Sequence, residues 1–223
     1  MPVGPRIVLL GKPGSGKGTQ AALLSERYDV EHLSTGDVFR AAIKHGTPIG
    51  EEVKVFMDTG ELVPDEIVIR VVEQYFAEGG PMEDGFILDG FPRTLVQAEA
   101  LERVLVSHPL DVVLDIDVPT EVVLDRIAGR RACVNCGATY HVHMPPTHLW
   151  VCDVCGGDVV QRDDDTEAAV ERRLEVYERQ TVPIIDFYKQ LGRLVAVDGV
   201  GAGPEVHERL AAAVDAHFDP ASR

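Results

Sequence analysis

The chain has 223 residues, 45% of them apolar and 26% charged, which suits one well-cored domain with insertions rather than two full domains. Its longest uninterrupted apolar run is five residues, Leu210 to Val214, against the ~20 a membrane helix needs, so a membrane-spanning helix is excluded. A net charge of −16 with a pI near 4.8 repels polyanions, which excludes general nucleic-acid binding and requires any anionic ligand to meet a few cations focused in a cleft.

At the start of the chain, Ile7 to Leu10 are too short a run for the ~7–15 apolar residues of a secretory leader, so a cytoplasmic location is expected. These residues read instead as a short buried strand, ended by the Gly-rich turn 11–16. From Lys17 the pattern becomes helical, with Ala21, Leu24 and Tyr28 at i, i+3, i+7 spacing. Ser34 is the expected N-cap of a second helical entry, with helices over 35–45 and 48–58 and another running from Asp65 toward Phe76. Phe86 to Asp89 reads as a second core strand, followed by a helix from about Thr94 to Val106. Val112 to Val118 reads as a third strand, with Pro119 placed to open the next helix.

Residues 133–155 break this rhythm and hold all four cysteines, the only tryptophan and three of the eight histidines. Beyond them, Val170, Leu174, Tyr177, Thr181, Ile184 and Tyr188 mark one face of a long helix, with a kink expected at Pro183. A final strand covers 194–197 and a final helix 204–217. Apolar strands alternating with helices predict a parallel sheet covered on both faces.

Gly11-Lys12-Pro13-Gly14-Ser15-Gly16-Lys17 matches G-x-x-x-x-G-K between a strand and a helix. Small residues let backbone N–H groups converge on phosphate oxygens at a helix N-terminus, and Lys17 can reach the outer phosphates. The usual Ser or Thr after the lysine is replaced by Gly18, with Thr19 next. A Mg²⁺ arriving with the nucleotide is therefore expected to be held by phosphates and waters, with Asp89 orienting those waters.

Cys133-x-x-Cys136 and Cys152-x-x-Cys155, fifteen residues apart, fit a four-thiolate zinc pattern. Four such ligands close the coordination sphere, so the ion would be structural. Disulfides, free thiols or another metal are the alternatives, and a reducing compartment argues against the first. His141, His143 and His148 are expected to be exposed hairpin residues rather than ligands. A ~40-residue insert buries little apolar area, and a metal would supply the missing stability.

The segment 11–20, Ser34-Thr35-Gly36-Asp37-Val38-Phe39-Arg40, Asp89 to Gln97, Arg126 to Arg131 and Arg162 to Asp165 through Arg173 together resemble the adenylate kinase family, in its zinc-lid, long-form bacterial type. The resemblance covers nearly the whole chain. It implies an α/β fold of the P-loop nucleoside monophosphate kinase type, a parallel sheet flanked by helices. A P-loop core (1–33, 64–125 and 167–223) would carry an AMP-binding helical insert (34–63) and a small zinc-binding lid (126–166). The implied activity is reversible phosphoryl transfer from Mg-ATP to AMP, giving two ADP, by a monomer.

By the same resemblance, Gly14, Ser15, Gly16, Lys17, Gly18, Thr19, Arg126, Arg130, Thr139 and Tyr140 would meet ATP. Thr35, Arg40, Glu61, Leu62, Val63, Gly90, Phe91, Pro92, Arg93, Gln97, Arg162 and Arg173 would meet AMP. Lys17, Arg93, Arg130, Arg162 and Arg173 would carry the catalysis. Such chemistry rests on positioning and charge neutralisation, so no nucleophile or side-chain base is expected.

Arg126 and Arg130 are expected at i, i+4 on one helix, where a shared anion would relieve their repulsion. Gln97 favours an adenine acceptor, since a carboxamide both donates and accepts and related pyrimidine-nucleotide kinases resemble this pattern with Asn there. The rival readings are a UMP/CMP kinase or a GTP:AMP phosphotransferase of the same fold, and a nucleotide-sensing zinc module without activity. Two positions depart from the family pattern. Lys12 replaces a small residue, and Asp163 extends an acidic pair to three, with Asp164 to Glu167 read as a helix-starting capping box.

Overall fold

The computed structural model describes residues 4–77 and 82–219. Met1 to Val3 and 220–223, at the ends of the expected core, lie outside the described residues, as do 78–81. Five strands form a parallel sheet in the order β2-β3-β1-β4-β8. They are β1 (Arg6–Leu10), β2 (Glu31–Ser34), β3 (Phe86–Asp89), β4 (Val112–Asp117) and β8 (Leu194–Asp198).

Side chains alternate across each strand, and here both faces are apolar. Val8, Leu10, Phe86, Leu88 and Val113 pack on one side with Phe39, Val68, Leu101 and Tyr188. Ile7, Leu9, Ile87, Leu114 and Ile116 pack on the other with Leu24, Val123, Ile127 and Leu210. The connecting helices are α1 (Lys17–Tyr28), α2 (Thr35–Lys44), α3 (Pro48–Thr59), α4 (Asp65–Ala77), α5 (Leu95–Val104), α6 (Thr120–Gly129), α7 (Glu167–Val176), α8 (Val182–Gln190) and α9 (Gly203–Asp215). The expected fold class is the observed one.

The register pairs Leu9 with Asp89 and Leu10 with Asp115, while Ser34 pairs with Asp89. The strand ends of β2, β3, β1 and β4 therefore form one row at the carboxyl edge of the sheet, where ligands of such folds sit. β1 lies between its two parallel neighbours, so the Gly-rich turn that follows it emerges in the middle of that row.

Four expectations need correction. β2 was not expected, because Glu-His-Leu-Ser has no apolar run, and as an edge strand it buries only Leu33. α6 ends at Gly129, and Arg130 is extended (φ −64°, ψ 138°) at the start of β5 (Arg130–Cys133), so Arg126 and Arg130 do not share a helix. The long helix is interrupted by a π-helical turn at Tyr177–Thr181, ahead of Pro183 rather than at it. Proline has no N–H to donate to the preceding turn, and widening that turn accommodates the loss. The helix after the acidic run is capped by Thr166, whose hydroxyl accepts from Ala169 N, so Asp164 and Asp165 are left for other partners.

β5 is the centre of a second, antiparallel sheet with β6 (Thr139–His141) and β7 (Val159–Val160). Its apolar core is small: Cys133, Cys152 and Val159, with Ala138, Tyr140 and Trp150 packed around them.

Candidate active site

The turn after β1 is shaped by glycines that nothing larger could replace. Gly11 has φ +137°, and a Cβ there would lie 2.7 Å from the Ile116 carbonyl oxygen. Gly14 has φ +82°, and a Cβ would lie 2.6 Å from the Ile127 side chain. The loop is thereby pressed onto β4 and α6, with its N–H groups running into the N-terminus of α1. The Ser15 hydroxyl is buried and has no partner among the described residues, as expected of a group whose partner is a ligand.

Lys17 folds back over this loop, its Nζ donating to the Gly11 carbonyl at 2.6 Å and the Lys12 carbonyl at 2.8 Å. Burial pulls its pKa from 10.5 down to about 8, Asp89 opposes that fall, and Arg93, Arg173 and Arg130 reinforce it. Burial, with neighbouring arginines adding to it, likewise lowers Arg162 and Arg173 to about 10. Asp164, Asp165 and Asp37 offset part of this charge, and the cations whose pKa values remain lowered despite them mark an anion site. Asp89, at the end of β3, sits beside the first turn of α1: a Cβ on Gly18 would lie 3.4 Å from its Oδ2. Its side chain is 13% exposed, with His32 Nε2 at 3.9 Å.

One cleft of about 450 Å³ gathers the residues expected to bind ATP. Gly14, Ser15, Gly16, Lys17, Gly18, Thr19, Arg126, Arg130, Thr139 and Tyr140 all line it, and Arg40, Glu61, Leu62, Asp89, Gly90, Pro92, Arg93, Arg162 and Arg173 share it. Thr35, Val63 and Gln97 border a smaller adjoining recess. Phe91 lines neither, because its ring is buried in the core.

Fixed carboxylates and carbonyls hold most of the arginines. Arg126 donates to the Ser15 carbonyl at 3.1 Å and the Gly199 carbonyl at 3.0 Å. Arg93 Nε donates to the Gly90 carbonyl at 2.8 Å. Arg130 grips both oxygens of Asp165, and Arg173 Nη1 stands 3.4 Å from each of Asp164 and Asp165. Arg40 pairs with Asp37 at 2.6 Å and approaches Asp164 to 3.8 Å. Burial opposes the ionisation of Asp164, but Arg173, Arg40, Arg162 and Arg130 outweigh it and hold its pKa below the usual carboxylate value.

Several expected contacts are more engaged than the sequence implied. Gln97 is buried, its Oε1 accepting from Arg93 N at 2.7 Å and its Nε2 donating to Asp65 at 2.8 Å. Each end of the carboxamide keeps one further bonding position. The Glu61 carboxylate is paired with Arg172 at 2.5 Å. Lys12 turns away from the loop centre and donates to the Val118 carbonyl at 3.1 Å.

Sequence reasoning missed the turn after β8, where Gly199, Gly201 and Gly203 line the cleft beside Val206. A Gly-rich segment following a core strand is the same signal that revealed the first loop. It also missed Asp164, read as a helix cap, and Asp165 as partners of arginine.

The four cysteine sulfurs lie within 4.8 Å of one another, with Cys133–Cys155 at 3.4 Å and Cys136–Cys152 at 3.6 Å. None is in a disulfide. Sulfurs ~2.3 Å from a tetrahedral ion stand roughly 3.8 Å apart, so this set fits a single such ion. Asn135 N–H donates to Cys133 Sγ at 3.4 Å, and the Tyr140 hydroxyl lies 3.4 Å from Cys152 Sγ. Tyr140 thus ties the knuckle to the cleft wall. The histidines are not part of the cluster.

The family profile described as "Adenylate kinase" matches residues 9–193. A Clostridium perfringens (strain 13 / Type A) protein named "Adenylate kinase" is 52% identical over 213 residues, spanning 94% of this chain and 96% of the relative. Proteins of the same name from Moorella thermoacetica and Caldicellulosiruptor bescii are each 52% identical, over 204 and 197 residues, covering 90% and 87% of this chain and 94% and 91% of theirs. The chain belongs to the adenylate kinase family.

Proposed function

We propose that this chain catalyses the reversible transfer of a phosphoryl group from Mg-ATP to AMP, giving two ADP. The observation that carries the reading is the convergence of Lys17, Arg40, Arg93, Arg126, Arg130, Arg162 and Arg173 on one cleft, in a chain whose net charge is −16. Phosphoryl transfer asks for positioned cations rather than a nucleophilic side chain, and a site of this composition supplies them.

In this reading ATP lays its phosphates on Gly14 to Thr19, with Arg126, Arg130, Thr139 and Tyr140 along its length. AMP occupies the recess bounded by Thr35, Leu62, Val63 and Gln97, its phosphate toward Arg40, Arg93, Arg162 and Arg173. Glu61, Gly90 and Pro92 form the rim, and Phe91 acts only by packing beneath it. Mg²⁺ enters as part of the donor substrate, and Asp89 orients its waters.

The division into a core, an AMP-binding insert over 34–63 and a lid over 126–166 belongs to the same proposal. Closure of the lid brings its arginines over the phosphates and excludes water that would hydrolyse ATP. Cys133, Cys136, Cys152 and Cys155 hold a structural zinc, which keeps the small antiparallel sheet rigid as it moves. No described helix is long and apolar enough to cross a membrane, and we place the protein in the cytoplasm, working as a monomer without nucleic-acid or membrane partners.

A coupled assay for ADP from ATP plus AMP, run beside UMP and CMP as acceptors and GTP as donor, tests this. ATP with AMP is expected to be the preferred pair by at least about tenfold, a difference of 1.4 kcal/mol in transition-state binding. Equal or faster turnover with UMP, CMP or GTP overturns the assignment in favour of a sister kinase. An absence of turnover with every pair leaves a binding module.

A further inference from the structure

The backbone between β8 and α9 is held by hydrogen bonds at most of its polar groups. Gly199 N–H donates to the Asp117 carbonyl at 2.8 Å, Val200 N–H to Asp198 Oδ1 at 2.9 Å and Ala202 N–H to Glu205 Oε2 at 3.3 Å. Among the acceptors, the Gly199 carbonyl takes Arg126, the Gly203 carbonyl takes the Gln20 amide at 2.9 Å, and the Ala202 carbonyl takes Val206 N–H at 3.1 Å.

The two carbonyls left over are both taken by Arg209, on α9. Its Nη1 donates to the Asp198 carbonyl at 2.6 Å and the Val200 carbonyl at 2.8 Å, and stands 3.3 Å from Asp198 Oδ2. Gly201, with φ +120°, is then the loop residue whose backbone groups have no protein partner among the described residues. Arg209 also lies against it, since a Cβ on Gly201 would be 3.2 Å from Arg209 Nη2. Gly201 lines the cleft.

We infer that Arg209 is a positioning residue for the donor nucleotide: by fixing the carbonyls of Asp198 and Val200 it holds the peptide at Gly201 as the edge that the donor base meets. This rests on reading the cleft as an ATP and AMP site. A carbonyl held there accepts from the exocyclic amine of adenine and opposes the carbonyl oxygen that guanine carries at the equivalent ring position. The Arg209 side chain is 38% exposed and that of Asp198 67%, and an ion pair so open to water adds little to the stability of a fold. One nitrogen that binds the last carbonyl of β8 and a carbonyl of the loop after it fixes how that loop leaves the strand instead.

The test uses the full-length chain carrying Arg209→Met, which keeps the apolar stem, and Arg209→Lys, which keeps the charge. The KM for ATP at saturating AMP is expected to rise about tenfold in Arg209→Met, equivalent to 1.4 kcal/mol. The KM for AMP and kcat should stay within about twofold, and the preference for ATP over GTP should fall by about the same tenfold. Arg209→Lys should recover most of the ATP affinity. A wild-type chain that forms no ADP overturns the donor-site reading together with this one. With an active wild type, an unchanged KM for ATP, or equal rises in both KM values accompanied by a lower Tm, overturns the role of Arg209 alone.

Discussion

Arg130 and Asp165 are bound through both ends of each group, and the Asp165 side chain has no solvent exposure. Asp165 also faces Arg173 at 3.4 Å, so one buried carboxylate stands between two arginines that line the phosphate cleft. If these arginines meet the phosphates as proposed, Asp165 shares them with the bound nucleotide and orients them in its absence.

Asp165→Asn removes that charge and leaves the guanidiniums facing one another. Breaking a buried pair costs about 3 kcal/mol or more, which for a chain of this size lowers Tm by about 6–12 °C. On the proposed assignment bound ATP restores negative charge beside the same arginines, so the rise in Tm on adding Mg-ATP should be larger in Asp165→Asn than in the wild type. Thermal melts with and without nucleotide measure this directly. An equal ligand-induced shift in both proteins would mean that Asp165 and the nucleotide do not share these arginines.

Lys17, proposed to meet the donor phosphates, should give the binding step a pH dependence. Its folded-state pKa of about 8 lies below the ordinary 10.5 because burial outweighs the attraction of Asp89. In the nucleotide-free protein, stability from this group is therefore lowest below pH 8, where the lysine is charged in both states, and rises as pH climbs from 8 toward 10.5. Phosphate binding runs the other way, since it needs the charged form and raises its pKa. kcat/KM for ATP should accordingly fall as pH rises through about 8, with calorimetry showing proton uptake on ATP binding above that value. Lys17→Met should lower kcat/KM by at least about a hundredfold and abolish this limb, and a limb that persists in the variant would assign it elsewhere.

The parts of the molecule legible from sequence were those with strong local patterns. The run Val112 to Val118 is apolar enough to declare a buried strand, and the glycines from 11 to 16 lead into Lys17 at the spacing of a phosphate-binding loop. β2 escaped because Leu33 alone of its four residues is fully buried, with Glu31 exposed and His32 and Ser34 partly so, and what makes it a strand is its pairing with Phe86 to Asp89. Arg130 was read as helical because its spacing from Arg126 fits a helix. The pairing of Ala132 with Thr139 and Val160, 28 residues away at the farther contact, pulls the chain into a strand instead. The roles of Asp164, Asp165 and Arg209 are contacts between distant segments, which periodicity does not report.

Metal removal tests the knuckle. With only Cys133, Cys152 and Val159 fully buried in its apolar core, the small sheet has little else to hold it. Chelation of the reduced protein should lower Tm by about 6 °C or more, corresponding to at least about 2 kcal/mol, and should release close to one zinc per chain. Cys136→Ser should behave likewise without a chelator. Well under one zinc in the purified reduced protein, or a melt insensitive to chelation, would mean that the four thiols stabilise the fold without metal.

The knuckle also reaches across the cleft. Lys44, at the end of α2, donates from Nζ to the Val134 carbonyl at 2.8 Å and lies 3.4 Å from Asn135 Oδ1. Val134 and Asn135 form the turn between the first two cysteines, so the contact joins the proposed AMP-binding insert to the proposed lid over the substrates. A charge-assisted bond of this kind contributes about 1 kcal/mol when partly open to water, enough to shift an open–closed equilibrium by about fivefold. Lys44→Met should therefore raise the KM values for ATP and AMP by a similar factor, about threefold to fivefold, because both bind most tightly in the closed form. kcat should hold or rise, since opening to release product often limits turnover. Steady-state kinetics with each substrate varied in turn, together with fluorescence transfer between dyes on α2 and the knuckle, read the two effects separately. A change confined to one substrate would make Lys44 a contact of that nucleotide's site, and unchanged kinetics with an unchanged distance distribution would show that the two segments meet without holding one another.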